Sequence, residues 1–276
     1  MGIKNNITFG VAIGNHVSVK KPYLFGGDIA KSIREARDCG YDGVELHNVR
    51  NPRDTDIKKI LKYCDKFNIK ISAISTGPSN YIDKLSLIDD SANIREATIL
   101  RLIDYIDLAG IIGGFITVGT IRGNIPDESS YEIYENRLSE SLKRVSEYAY
   151  KKNITMLLEV ANRYESNYLN RAEDILNFIK KNNILMLKIH LDTFHMNIEE
   201  VDINKSIKEC SQLLGYFHVA DSNRMYPGAG HLDFKSMAKT LINIDYHGYV
   251  VVECLPLPDG KSAAKKALDY IKPLLK

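Results

Sequence analysis

Four residues carry the clearest chemical signal in this sequence. Glu159, Asp192, His218 and Glu253 are separated by 33, 26 and 35 residues, and each closes or follows a short apolar run: Thr155-Met156-Leu157-Leu158, Lys188-Ile189-His190-Leu191, Gly215-Tyr216-Phe217 and Val250-Val251-Val252. Strands of a parallel sheet are buried on both faces, so an ionisable residue at the end of one needs a reason. Taken singly, each is accounted for by a cap or an ion pair. In register on four consecutive strands, they put three carboxylates and an imidazole in one water-poor cup. Like charges so confined hold either a proton or a cation. Two Glu, one Asp and one His form an oxygen-rich donor set with one nitrogen, suited to a divalent ion such as Mn²⁺, Mg²⁺ or Co²⁺ more than to thiolate-loving metals.

That chemistry requires elements repeating at the same spacing. Eight candidate strands are Ile7 to Ile13, Gly43 to Leu46, Ile69 to Ser75, Phe115 to Val118, Ile154 to Val160, Leu187 to Thr193, Tyr216 to Asp221 and Tyr249 to Cys254. Between them apolar residues recur every three or four positions, as in Ile57, Ile60, Leu61 and Cys64, and in Leu138, Leu142, Val145 and Ala149. Ser129 to Glu132 and Asn170 to Glu173 read as capping boxes. Eight such units fit 276 residues, given the ~30 or more that one βαβ step requires. The pattern predicts an α/β fold, a single (β/α)8 TIM barrel over residues 1–276. An open doubly wound sheet would carry a Gly-rich turn after its first strand, and Ile13-Gly14-Asn15-His16 is not one. In a barrel, functional residues gather at the C-terminal strand ends, where these four stand.

Composition removes other classes. Lys and Arg number 37 against 35 Asp and Glu, a balance of +2 with no basic block, so no nucleic-acid partner is expected. No apolar run approaches the ~18 residues of a membrane span. Cys39, Cys64, Cys210 and Cys254 form no CxxC pair and read as reduced thiols, and the first six residues lack the apolar stretch of a signal peptide. Both point to a cytoplasmic protein.

The stretches Leu157 to Glu165, Leu191 to Glu200 and Phe217 to Arg224 strongly resemble the ketose 3-epimerases of the xylose-isomerase-like barrel superfamily, and Pro227-Gly228-Ala229-Gly230-His231-Leu232-Asp233-Phe234 resembles that superfamily's loop after strand seven. The resemblance implies a (β/α)8 barrel with one divalent metal, commonly Mn²⁺, on the residues matching Glu159, Asp192, His218 and Glu253. It also implies that Glu165, His195 and Arg224 contact substrate oxygens, and that the chain forms a homo-oligomer, a dimer or tetramer. Within the group it looks most similar to the 5-keto-L-gluconate epimerases of inositol catabolism, through Thr76-Gly77, Tyr81, Leu85-Ser86-Leu87, Ile121-Arg122-Gly123 and Val252 to Pro258. Free-sugar epimerases more often carry an aromatic after the last glutamate and several tryptophans; here Cys254-Leu255 follows Glu253 and Trp is absent.

The expected reaction is therefore inversion of C3 of a ketose or keto-uronate, of the 5-keto-L-gluconate/D-tagaturonate type. Glu159 and Glu253 would act as acid and base around a metal-stabilised enediolate. A keto-uronate needs a cation near the far end of the cup, with Arg122 the first candidate and Arg50 the second. His190 reads as a satisfied core residue, and Glu45 as a group supporting the ligands. The alternative on the same residues is an aldose-ketose or hydroxypyruvate isomerase. AP endonucleases share the architecture but need extra histidines for three zinc ions; Ser75-Thr76-Gly77-Pro78 and Val118-Gly119-Thr120 supply none. A non-catalytic sugar-binding module would not require both glutamates. Asp259-Gly260-Lys261-Ser262 resembles a P-loop end, but Leu255 stands where the first Gly is required, so it reads as the start of the last helix.

Overall fold

The strands of the computed structural model, which describes residues 7–126 and 131–276, follow the predicted spacing closely. They are β1 (Thr8–Gly14), β2 (Gly43–Leu46), β3 (Lys70–Ser75), β4 (Phe115–Val118), β5 (Met156–Glu159), β6 (Leu187–Asp192), β7 (Leu214–Val219) and β8 (Tyr249–Val252). Each pairs in parallel with the next, and β1 pairs with β8 to close the barrel. One element is additional: Phe25–Gly26 pairs in parallel with the end of β1, Ile13 opposite Phe25, and ties the loop that precedes it to the barrel mouth.

The outer helices follow from their apolar stripes. In helix Tyr131–Lys152, Leu138, Leu142, Val145 and Ala149 are all fully buried. In helix Ile57–Phe67, Ile60 is buried while Leu61 is exposed, so the stripe is narrower than its period suggests. One predicted cap is displaced. Helix Ala172–Asn182 is capped one residue later than Asn170, the Arg171 N–H donating to the Asp174 carboxylate at 2.9 Å. Asn170 instead braces the loop after β5, its amide donating to the Ala161 and Ser166 carbonyls. Asp259 does start the last helix, accepting from the Ser262 N–H at 2.8 Å. Ser129 and residues 1–6 lie outside the described residues. No helix among the described residues is long and apolar enough to cross a membrane.

The barrel interior explains where the chemistry sits. Ala73, Leu157, Tyr216 and Val251 pack together inside it with Phe115 and Tyr249, apart from the larger core between strands and helices. Side chains two residues apart on a strand share a face. The next inward layer toward the C-terminal ends is therefore Ser75, Glu159, His218 and Glu253, while His190 and Asp192 share the inward face of β6.

Candidate active site and metal centre

Asp192, His218 and Glu253 offer ligand atoms that all lie within 4.8 Å of one another, and Glu159 lies equally close to Asp192 and to His218. His218 Nδ1 stands 3.7 Å from both Asp192 Oδ2 and Glu253 Oε2. Asp192 Oδ2 and His218 Nδ1 are buried and have no hydrogen-bond partner. Buried polar atoms are rarely left unmatched. Two such atoms turned toward each other and toward a carboxylate fit a divalent cation, and Asp192, His218, Glu159 and Glu253 would hold it.

The ring of His218 is fixed from behind. Its Nε2 donates to Glu45 Oε2 at 2.6 Å, both residues being about 1% exposed, which leaves Nδ1 facing the carboxylates. Tyr216 also donates to Glu45 Oε2, at 3.2 Å, and meets Ser72 Oγ at 2.7 Å. Burial pushes the Glu45 carboxyl up, but the charges of His218 and His47 outweigh it and hold Glu45 well below the usual carboxylate range. His47 Nε2 lies 3.1 Å from Glu45 Oε1 and 3.7 Å from Glu253 Oε1, and Tyr23 covers its ring at 4.7 Å. His47 and Tyr23 were not singled out in the sequence. The spacing of His47, two residues after Glu45 and one past the end of a four-residue strand, is the signal that could have found it; Tyr23 has none. His190 is buried under this layer, its ring 4.1 Å from that of His218, but neither of its nitrogens has a partner, so it is a core residue without being a satisfied one.

In the metal-free chain the two glutamates are pushed in opposite directions. Burial, reinforced by the charge of Glu253, pushes Glu159 up to about 8. Burial also opposes ionisation of Glu253, but Arg224 and His218 overcome it and pull that carboxyl down to about 2. Arg224 Nη2 donates to Glu253 Oε2 at 2.8 Å and Nη1 to Glu165 Oε1 at 2.9 Å, with the guanidinium 4.6 Å above the Phe194 ring. Gly119 makes room for Glu159: a Cβ there would stand 2.5 Å from Glu159 Oε2.

His195 is buried and kept neutral mainly by that burial. Asn162 Oδ1 accepts from the Tyr164 N–H, so the Asn162 amide nitrogen must be the group that donates to His195 Nδ1, at 2.7 Å. His195 Nε2 then carries the hydrogen, 3.9 Å from Glu159 Oε1. Asn162 is a further residue that the sequence did not flag.

Above this floor opens a cup of about 370 Å³, bordered by Glu159, Glu165, His195, Arg224 and Glu253 among others, a size within the ~300–1,000 Å³ of small-molecule sites. Seven of the nine expected residues thus meet at one place. The two arginines expected to anchor a substrate carboxylate do not border the cup. Arg122 is fully buried, its guanidinium donating to the Glu159 carbonyl, to Ser166 Oγ at 3.3 Å and to the Tyr168 carbonyl at 3.2 Å. It braces the end of β5. Arg50 is exposed, pairs with Asp83 at 2.5 Å, and lines a separate cavity of about 570 Å³ with Asp54 and Arg101.

Residues 33–274 match the family model of the xylose isomerase-like TIM barrel. An L-ribulose 3-epimerase of Methylomonas sp. is 33% identical over 280 residues, covering 94% of this chain and 96% of that protein. A 3-dehydro-D-guloside 4-epimerase of Escherichia coli is 26% identical, covering 86% of this chain and 91% of that one. Among solved structures, a D-allulose 3-epimerase from Methylomonas sp. superposes with a TM-score of 0.82 at 26% identity, covering all of both chains.

Proposed function

From the premise that this chain belongs to the ketose 3-epimerase family of xylose isomerase-like TIM barrels, a family of carbohydrate-epimerising isomerases, we propose that it inverts the carbon next to the ketone of a ketose or keto-uronate. The substrates proposed are of the 5-keto-L-gluconate and D-tagaturonate type, as in inositol catabolism. The observation that carries this reading is the glutamate pair itself, brought together with Asp192 and His218 at the floor of a single cup. Two carboxylates that flank one site from different strands suit one acid and one base.

Glu253, kept ionised by Arg224 and His218, takes the proton from the carbon beside the carbonyl. Glu159, three strands away around the mouth, returns one from the other side to give the epimer, and in the reverse direction the two exchange tasks. The His195 Nε2 hydrogen and the Arg224 guanidinium border the cup beside these carboxylates and orient substrate oxygens. Arg122 keeps the backbone of Glu159 in place. Glu159, Asp192, His218 and Glu253 would hold a divalent ion, Mn²⁺ by preference and Mg²⁺ or Co²⁺ otherwise, which would supply several kcal/mol of stabilisation to the negative charge that proton removal leaves on the substrate oxygens. The proposal further takes the enzyme to be a cytoplasmic homo-oligomer.

The test is exchange in D₂O by the Mn²⁺-loaded protein, followed by NMR, with 5-keto-L-gluconate, D-tagaturonate, D-fructose, D-tagatose and hydroxypyruvate. Deuterium at the carbon beside the ketone, together with the epimer, is expected. Label at C1 with an aldose product, or exchange into hydroxypyruvate alone, would replace the epimerase by an isomerase.

A further inference from the structure

The four metal-fitting residues occupy four consecutive strands, β5 to β8, so they take up one half of a closed barrel mouth. A substrate whose reacting carbons lie between Glu159 and Glu253 must extend its remaining carbons over the other half. The cup's side chains there come from the β1 to β4 ends, and none is Asp or Glu; all three carboxylates bordering the cup, Glu159, Glu165 and Glu253, belong to the metal half. The charged groups on the substrate half are Lys20 and Lys21.

Both lysines are presented by a local turn. Ser18 Oγ accepts from the Lys20 N–H at 3.2 Å and the Ser18 carbonyl from the Lys21 N–H at 3.0 Å, and the loop returns to the barrel through Phe25–Gly26. Gly14 leaves space for the loop's Tyr23, since a Cβ at residue 14 would stand 2.3 Å from that ring. Lys21 Nζ lies 4.7 Å from the centroid of Tyr81, which also borders the cup. Arg224, the other cation in the cup, is committed to Glu165 and Glu253, whereas Lys20 and Lys21 enter none of the ion pairs among the described residues.

We infer that Lys20 and Lys21 bind an anionic group, carboxylate or phosphate, at the end of the substrate remote from the reacting carbons. These lysines then take the part that the sequence assigned to Arg122 and Arg50. The inference rests on the epimerase reading and adds to it the side chains that would hold the terminal anion of the substrate.

The test compares kcat/KM for exchange beside the ketone in the Mn²⁺-loaded full chain, using D-fructose and D-tagatose, 5-keto-L-gluconate and D-tagaturonate, and D-fructose 6-phosphate. An anionic substrate is expected to exceed the neutral sugars by on the order of tenfold, two partly exposed ion pairs' worth, and to lose part of that lead as salt screens the mouth. The better of the carboxylate and phosphate arms names the source of the anion. In Lys20→Glu/Lys21→Glu the ratio of anionic to neutral kcat/KM should fall below one, and in Lys20→Arg/Lys21→Arg it should persist. Exchange that favours neutral ketoses in the unmodified protein, or an anion preference that survives charge reversal, overturns the inference and leaves the epimerase standing. Absence of exchange with every ketose overturns the epimerase reading and this inference with it.

Discussion

The two halves of the barrel mouth are built on the same parallel strands and yet carry opposite residue types. Strands β5 to β8 end in Glu159, Asp192, His218 and Glu253, all but Glu159 nearly inaccessible to solvent. On the other half, Ser75, Gly77, Gly119 and Thr120 border the cup with short or absent side chains alongside Tyr23, His47 and Tyr81, and the charge there is the positive charge of a loop. The strand ends are geometrically equivalent, so the division of labour is a matter of which side chains occupy them. Crowding acids on one half creates the demand for a cation, and small residues opposite leave the volume a sugar would fill.

The largest effect expected from this division is on the glutamates. Glu159→Gln and Glu253→Gln should each lower solvent exchange by roughly 10² to 10⁴-fold, the range for a lost acid-base group. Thr120→Ala on the opposite half should cost far less, as read by the same NMR exchange. Comparable losses on both halves would erase the distinction.

Gly119→Ala crosses it. The added Cβ would crowd Glu159 Oε2 at 2.5 Å, and misplacing a catalytic group by ~1 Å can cost about 10²-fold. The loss should appear in kcat with folding intact, as read by steady-state kinetics alongside the thermal midpoint. A normal kcat would show that Glu159 does not need its present position.

Glu45 sharpens the comparison, because it stands on β2 and serves the other half through His218. Removing a carboxylate that orients a metal-binding histidine typically costs 10 to 100-fold in metal affinity. Glu45→Gln should therefore weaken Mn²⁺ binding by about that factor in calorimetry, while Glu45→Asp keeps part of it. Unchanged affinity would detach Glu45 from the centre.

How far the sequence was legible follows the same line. The barrel and its four polar strand ends were readable because each is an ionisable residue in an apolar run, recurring about once per strand-helix unit. Glu45 was less so: its strand is four residues long, the register with β3 shifts between Val44 and Glu45, and its partner lies 173 residues away. Arg122 was misjudged because an arginine just past a strand looks like any loop cation. Its partners, the carbonyls of Glu159 and Tyr168, are brought to it only by the fold. Lys20 and Lys21 gave no sequence signal, since two adjacent lysines in a loop are ordinary until the loop is seen to fold over the cup.

The smallest expected effect is on stability, and it separates the halves without substrate. Glu159 in the metal-free chain holds its proton up to about 8, whereas in the unfolded chain it ionises near the ordinary value of about 4.3. A carboxyl raised by folding contributes stability that is fully present below the unfolded value and is lost as pH rises through the folded one. The thermal midpoint of the metal-free protein should accordingly contain a downward component between about pH 4.5 and 8 that levels off above, and Glu159→Gln should remove it. Because Mn²⁺ competes with that proton, the rise in midpoint on adding the ion should grow over the same range. Thr120→Ala should leave the pH profile as it is; a component that persists in Glu159→Gln would assign the raised carboxyl to another acid and remove the proton from the pair.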